Sequence, residues 1–163
     1  MCSLYNDYES VYEYDVEVYI MAMDDLIEAA RRKDWDLVDE RIPQVCNNPH
    51  VKKRAVELVN NSNGDVSDLG ASILEKAKVL PRGSRQVLLN AMRTNSNQYT
   101  RYHSAFALAA HKPGQYVKEV IGVLREAVSD KDVSGIARAY LKKVKSGIAS
   151  FFMSGMLTDV RHS

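Results

Sequence analysis

The sequence predicts an all-α fold, a right-handed stack of antiparallel helical hairpins with about eight or nine helices. Three observations lead to this prediction. From Asp34 onward, apolar residues recur at spacings of three and four, the period of a helix with one buried face. Turn and capping residues interrupt the pattern every dozen or so residues, and the intervening loops hold only two to six residues. Short loops join antiparallel neighbours, and few segments resemble strands, so we expect helices to pack on helices.

The N-terminal run over residues 7–22 fits two periods. Its tyrosines and valines favour a strand, but a helical stripe is unbroken, and no second strand is available to pair with it. We expect a helix from about residue 9, with an extended arm that adds to a partner's sheet as the alternative. The stripe consists of Tyr5, Tyr8, Tyr12, Val16, Tyr19, Met23, Leu26 and Ala30. In that helix Glu9, Glu13 and Glu17 form a ridge of like charges that repel one another. Bases elsewhere, in the same chain or in a second copy, must offset this repulsion.

Capping residues set the helices that follow. Asp34 is placed to cap the first of them, and Pro43 should kink or end it. Asn48 before Pro49 is a cap followed by proline at the first helical position, so it begins the next helix. Asp65 is expected to cap the third, and "LPRGS" to end it at Leu80-Pro81.

The second half of the chain continues in the same way. Ser84 begins a helix that "TNSN" breaks, and "HKPG" ends the one after it. Tyr116–Val128 form the next helix, and "SDKD" caps the last clear one. Gly147 should interrupt that helix, leaving Ile148–Leu157 as a short closing helix. We therefore divide a single domain, residues 1–163, into an acidic N-terminal cap (1–33), helical repeats (34–146) and a C-terminal cap and tail (147–163).

The helices repeat with a period of about 34 residues. One series places apolar residues at Val51, Val87 and Ile121, which are 36 and 34 residues apart. In the other series, bulky residues at positions one, four and eight make a stripe, and small residues between them allow close helix approach. The aligned triplets are Val66/Tyr99/Val133, Leu69/Tyr102/Ile136 and Ile73/Phe106/Tyr140.

The repeat resembles the HEAT and armadillo families over residues 35–146. "NNPHVKKRAVELV" and "SDKDVSGIARAYLKKV" are similar to the HEAT phrase in which an acidic or amide turn leads to valine, a basic residue and then alanine. The basic residue after the valine is present at Lys52 but becomes Ser67 and Ser134, so the family's Asp/Arg ladder is incomplete. The Trp-Leu-Gly-Tyr pattern of tetratricopeptide repeats is absent. The resemblance implies a short α-solenoid, with an irregular helical bundle as the alternative.

Bulk composition agrees with a globular chain. The 163 residues suffice for one domain, and 45% hydrophobic with 26% charged residues argues against a disordered or fibrous chain. No apolar run approaches the roughly 18 residues of a membrane span, and the acidic start is unlike a signal peptide. We expect a cytoplasmic protein in which Cys2 and Cys46 are reduced.

No catalytic constellation stands out. The four histidines are scattered, and the chain has no HExxH motif, no Cys/His cluster and no glycine-rich phosphate loop. Ser72, Ser84 and Ser104 have no base that the sequence can place. We therefore expect no enzyme, no metal site and no cofactor.

Charge points to partners instead. Residues 1–40 carry twelve acids and three bases, whereas the remainder carries nine acids and nineteen bases. In a stack, equivalent positions line one surface, so the bases of the repeats could form a basic stripe. The predicted partner-binding residues are those bases, a histidine inside a repeat helix and a Phe pair in the tail: Lys52, Lys53, Arg54, Arg101, His103, Arg138, Lys142, Lys143, Phe151 and Phe152.

These observations favour a non-enzymatic scaffold or adaptor for a protein partner, such as an acidic segment. The alternative is a module that binds the phosphate backbone of a nucleic acid along the basic stripe. A homo-oligomer could form through the acidic N-terminus or the Phe/Met-rich C-terminus. The scaffold hypothesis predicts a groove lined with basic and aromatic side chains.

Overall fold

The computed structural model describes the backbone of residues 6–159 and the side chains of residues 17–150. This part of the chain contains eight α-helices, one short 3-10 turn and no β-strand, which confirms the all-α prediction. The helices are α1 (Asn6–Arg31), α2 (Trp35–Val45), α3 (Pro49–Leu58), α4 (Gly64–Lys76), α5 (Ser84–Thr94), α6 (Gln98–Ala110), α7 (Val117–Ala127) and α8 (Ser134–Asp159), with the 3-10 turn at Gly114–Tyr116. The tyrosine-rich run is therefore helical, since α1 begins at Asn6.

Side-chain caps begin four of the helices, α2, α3, α4 and α6. The carboxylate of Asp34 accepts the N–H of Leu37, and the amide oxygen of Asn48 accepts two N–H groups at the start of α3, as expected. The prediction of Asp65 as a cap is wrong. Asn63 caps α4 by accepting the N–H of Val66 at 3.1 Å, and Asp65 lies inside the first turn.

Neither Pro43 nor Gly147 ends the helix in which it lies. Pro43 lies inside α2, which continues to Val45. Pro43 has no N–H to donate to the carbonyl of Asp39. Because both residues are exposed, water can donate a hydrogen bond to that carbonyl instead. Gly147 lies inside α8, which runs on to Asp159, because glycine costs a helix only about 1 kcal/mol relative to alanine and does not by itself break it.

The end of α4 is set by tertiary contacts rather than by proline. α4 ends at Lys76, five residues before Pro81. The N–H of Lys78 donates to the side chain of Asn47 at 2.8 Å, and the thiol of Cys46 donates to the carbonyl of Lys76 at 3.5 Å. These bonds tie the chain after α4 to the end of α2.

Helix packing follows the chain order. Each odd-numbered helix packs against the even-numbered helix that follows it, and α2, α4, α6 and α8 pack in succession against one another. α1 also packs against α3 and α4. A single apolar cluster runs through these contacts from Met23 to Val144. At Gly70, α4 approaches α3 so closely that an added Cβ would lie 2.7 Å from the carbonyl oxygen of Ala55.

A turn repeats before α4, α6 and α8. In each, two Asn or Asp residues lie two apart, and the N–H of the second donates to the side-chain oxygen of the first at 2.8–2.9 Å. The first residues of α6 also bond to the turn before α8, since Gln98 donates to Asp130 at 2.8 Å and Tyr99 to Asp132 at 3.1 Å. The three pairs are Asn61/Asn63, Asn95/Asn97 and Asp130/Asp132.

Candidate functional site

A groove of about 670 Å³ runs across the even-numbered helices. Every even-numbered helix contributes to its walls, together with a residue before α2 and two before α8. The lining residues are Lys33, Trp35, Asp39, Ile42, Pro43, Asp65, Asp68, Ser72, Glu75, Lys76, Tyr99, His103, Asp132, Val133 and Ile136.

The polar part of the groove comes mainly from α4. Asp65, Asp68, Ser72 and Glu75 follow one another at spacings of three, four and three, so they share one face of the helix. Ser72 and both of the later carboxylates are buried, with only 4% of Asp68 and 5% of Glu75 exposed. Buried carboxylates need charged or hydrogen-bonding partners, and the neighbouring helices supply them.

His103 on α6 is the partner of Asp68. Its Nδ1 lies 2.5 Å from Oδ1 of Asp68 and 3.1 Å from the hydroxyl of Ser72. Burial lowers the pKa of His103, but the charge and hydrogen bond of Asp68 outweigh burial, with help from Glu75, and the pKa rises above its ordinary value. The imidazole and the carboxylate therefore form an ion pair between α4 and α6, in which the carboxylate is buried and the imidazole is partly exposed.

This constellation differs from a catalytic triad. In a triad the carboxylate and the nucleophile contact opposite nitrogens of the histidine. When one nitrogen takes the proton of the nucleophile, the carboxylate at the other nitrogen stabilises the positive charge. Here Asp68 and Ser72 both contact the same nitrogen, Nδ1. His103 consequently cannot act as a base on Ser72 while Asp68 orients its other side.

Glu75 is held by α8. The hydroxyl of Tyr140 donates to Oε1 of Glu75 at 2.8 Å, and the ammonium of Lys76 lies 3.1 Å from the same oxygen. Burial, followed by the charge of Glu75, strongly raises the pKa of the Tyr140 hydroxyl, which keeps it a donor. The ring of Tyr140 stacks on Phe106 with centroids 5.4 Å apart, so α4, α6 and α8 meet at this point.

Carboxylates outnumber bases in this groove, whereas a groove lined with basic side chains was predicted. Its walls carry five carboxylates against two lysines and one histidine, and the apolar contribution includes Trp35, Tyr99 and the exposed Ile136. A groove lined with basic and aromatic side chains was expected. This groove holds aromatic side chains but more carboxylates than bases, because the carboxylates of α4 lie on its groove face. The predicted bases Lys53 and Arg54 instead line a smaller groove of about 240 Å³, beside Tyr19 and Asp24 of α1.

Several of the predicted partner-binding bases bond to the protein's own groups. Lys52 donates to the carbonyl of Val79 at 3.3 Å, and Lys143 to the carbonyl of Ala110, the last residue of α6, at 3.2 Å. Such carbonyls lack partners within their own helix or turn. The remaining pairs are Arg54 with Glu57 at 2.7 Å and Arg101 with Glu126 at 3.0 Å.

The other predicted residues are divided between the surface and the groove. Lys53, Arg138 and Lys142 are exposed, and His103 lies in the groove. Phe151 and Phe152 belong to α8, but the structure does not describe their side chains. The same holds for the side chains of Glu9 and Glu13.

Asp68, Glu75 and Tyr140 were not predicted from the sequence as members of the site. A signal was present, because acids at helical spacing directly beside the apolar stripe of Leu69 and Ile73 cannot all face solvent. The sequence could not show which side chain on a neighbouring helix each acid contacts.

Comparison with known proteins finds no matching family model, no matching curated protein and no matching solved structure. None of the helices, over the part of the chain described, is long and apolar enough to cross a membrane. In the same described residues, no three His, Cys, Asp or Glu side chains converge as metal ligands would. Functional inference therefore depends on the groove itself.

Proposed function

We propose that this chain is a non-enzymatic scaffold that holds a basic segment of a partner protein in the groove along its even-numbered helices. The observation that carries the proposal is the lining of that groove, in which carboxylates outnumber bases and lie beside exposed or half-buried apolar and aromatic side chains. Such a surface attracts lysine and arginine side chains and offers them aromatic faces to pack against.

The same proposal includes a HEAT-like architecture, a short right-handed α-solenoid of antiparallel hairpins. It is supported by the pairing of each odd-numbered helix with the next even-numbered one and by the succession of even-numbered helices. The similar turns before α4, α6 and α8 recur at nearly the same period as the helices. In a solenoid, successive second helices of the hairpins line one extended surface, which is where partners bind.

Charge decides the kind of segment. An exposed ion pair contributes only about 0.2–1 kcal/mol, so the carboxylates would set the sign and position of the partner rather than its whole affinity. Trp35, Tyr99 and Ile136 would supply apolar contact. A partner with alternating basic and apolar residues fits both requirements, and an acidic segment fits neither.

A nucleic acid is a weaker alternative. Phosphates would meet the carboxylates of the groove, and four of the predicted bases, Lys52, Arg54, Arg101 and Lys143, are engaged by carbonyls or carboxylates of the chain itself. A reducing, cytoplasmic location belongs to the proposal as well, and the buried free thiol of Cys46 supports it.

Trp35 provides the assay. It is the chain's one tryptophan, and it lines the groove, so its fluorescence reports occupation of the site. The probe is a short peptide of alternating lysine and leucine, free of aromatic residues, and the matched control peptide replaces lysine with glutamate. We expect a saturable change in Trp35 fluorescence with the lysine peptide alone, weakened by added salt.

Substitution locates the binding. Asp39→Asn combined with Asp65→Asn should weaken the lysine peptide about tenfold, the equivalent of about 1.4 kcal/mol. Glu40→Gln, one residue from Asp39 but outside the groove, should leave binding unchanged. The proposal fails if the lysine peptide produces no saturable change, or if a duplex oligonucleotide produces the larger one.

A further inference from the structure

The first and last helices of the array carry opposite charge. α1 packs against α2, α3 and α4, whereas α8 packs against α6 and α7. Among its 26 residues α1 has eight acids and one base, and α8 has four bases and a single acid at its last position. The chain thus presents an acidic helix at one end of its helix order and a basic helix at the other.

The exposed face of α1 is both acidic and apolar. Glu17, Met21, Asp24 and Glu28 follow at spacings of four, three and four, and all four are exposed. Three of the five exposed large apolar side chains in the described part of the chain lie on this helix: Val18, Ile20 and Met21, with Met21 68% exposed. Exposed apolar residues gathered on one element mark an interaction surface.

The exposed face of α8 is basic with matching spacing. Arg138, Lys142 and Lys145 follow at spacings of four and three, and all are exposed. No ion pair engages them in the part of the chain whose side chains the structure describes. Arg138 and Lys145 are seven residues apart, as are Glu17 and Asp24, so both pairs span about 10.5 Å along their helices.

We infer that α1 of one copy docks on α8 of a second copy of this chain. Glu17 and Asp24 then lie against Arg138 and Lys145, which have the same seven-residue spacing, and Val18, Ile20 and Met21 become covered. Opposite charges favour this pairing of α1 with α8, and like charges oppose contact between two copies of α1 or two of α8.

This contact joins different surfaces of the two copies, so it leaves a free α1 at one end and a free α8 at the other. Such a head-to-tail contact closes only if the rotation between copies permits a ring, and otherwise adds further copies. Association should therefore increase with protein concentration and weaken as salt screens the charges.

Sedimentation velocity on three proteins tests the inference. At low salt, the average mass of the natural chain should rise with concentration above the 18.3 kDa of one copy. A variant with α1 reversed (Glu17→Lys, Asp24→Lys) and a variant with α8 reversed (Arg138→Glu, Lys145→Glu) should each remain monomeric. An equimolar mixture of the two should associate again, because each α1 then meets an α8 of opposite charge.

The control reverses two exposed acids on α2, Asp36→Lys with Glu40→Lys, and should associate like the natural chain. Far-ultraviolet circular dichroism on every variant checks that the helices are retained. The inference is overturned if the natural chain is monomeric at all concentrations, if reversal of α8 leaves association intact, or if the mixture stays monomeric. The groove plays no part in this contact, so the peptide assay and the sedimentation assay fail independently.

Discussion

Gly70→Ala isolates the close approach of α3 and α4. Gly70 lies inside α4, and a Cβ at this position would lie 2.7 Å from the carbonyl oxygen of Ala55 and 2.8 Å from the backbone nitrogen of Val59. Both are backbone atoms, which cannot rotate away as a side chain can. The shorter distance is about 0.7 Å below ordinary van der Waals contact, so the two helices must separate.

Two terms oppose each other in this substitution. Alanine in a helix interior is more favourable than glycine by about 1 kcal/mol. Overpacking a tight interface costs about 1–3 kcal/mol and sometimes more. Because the clash is with backbone on both sides, we expect the upper part of that range and a net loss of about 1–2 kcal/mol in the free energy of unfolding.

Gly122→Ala is the matched control, because Gly122 lies inside α7 and an added Cβ would meet nothing within 4 Å. Only the helix-propensity term applies there, so this variant should gain about 0.5–1 kcal/mol. Urea denaturation followed by circular dichroism measures both variants, and the two should differ by about 1.5–3 kcal/mol. If Gly70→Ala is as stable as the natural chain, α3 and α4 do not approach as closely as described, and the packing argument is wrong.

Three further predictions concern the buried polar groups. Burial lowers the pKa of His103, but Asp68 raises it more. The ion pair therefore stabilises the fold fully below the unfolded pKa of about 6.5, and this stabilisation is lost as the pH rises through the higher folded pKa. The stability difference between the natural chain and His103→Asn should therefore shrink as the pH rises above the unfolded pKa and through the folded one; a difference that grows would contradict the ion pair. Tyr140→Phe removes the donor to buried Glu75 and should cost about 1.5–3 kcal/mol in urea titrations, and a loss under about 0.5 kcal/mol would count against that bond. Ser104→Ala should be neutral or stabilising by up to about 1 kcal/mol, since the buried hydroxyl has no partner among the described residues, and a clear loss would reveal one.

The local parts of the fold were predictable because their causes lie within a few residues. Asn48 and Pro49 begin α3 as expected, since the cap oxygen and the N–H groups that it accepts are three residues apart or fewer. The stripe of Val66, Leu69 and Ile73 is fully buried, as its spacing indicated. The end of α4 was mispredicted, because the bond from Lys78 to Asn47 joins residues 31 positions apart.

The candidate site was predictable only in fragments. His103 was singled out from its place in the repeat, and the structure places it in the groove. The charge of the groove could not be predicted from the sequence, because the sequence does not show which bases are already bonded to other groups of the chain. Lys52 and Lys143 lose that freedom to carbonyls 27 and 33 residues away, and no periodicity reports such contacts.

By itself, the sequence determined that this chain is helical, where most of its helices begin and which face of each is apolar. Helical period and capping act over three or four residues, so they are written directly into the order of the residues. Tertiary structure alone decided that Asp68 meets His103 and that Glu75 meets Tyr140, across 35 and 65 residues. The charge of the groove depends on which helix faces lie opposite one another, and that choice is made by packing over the whole chain.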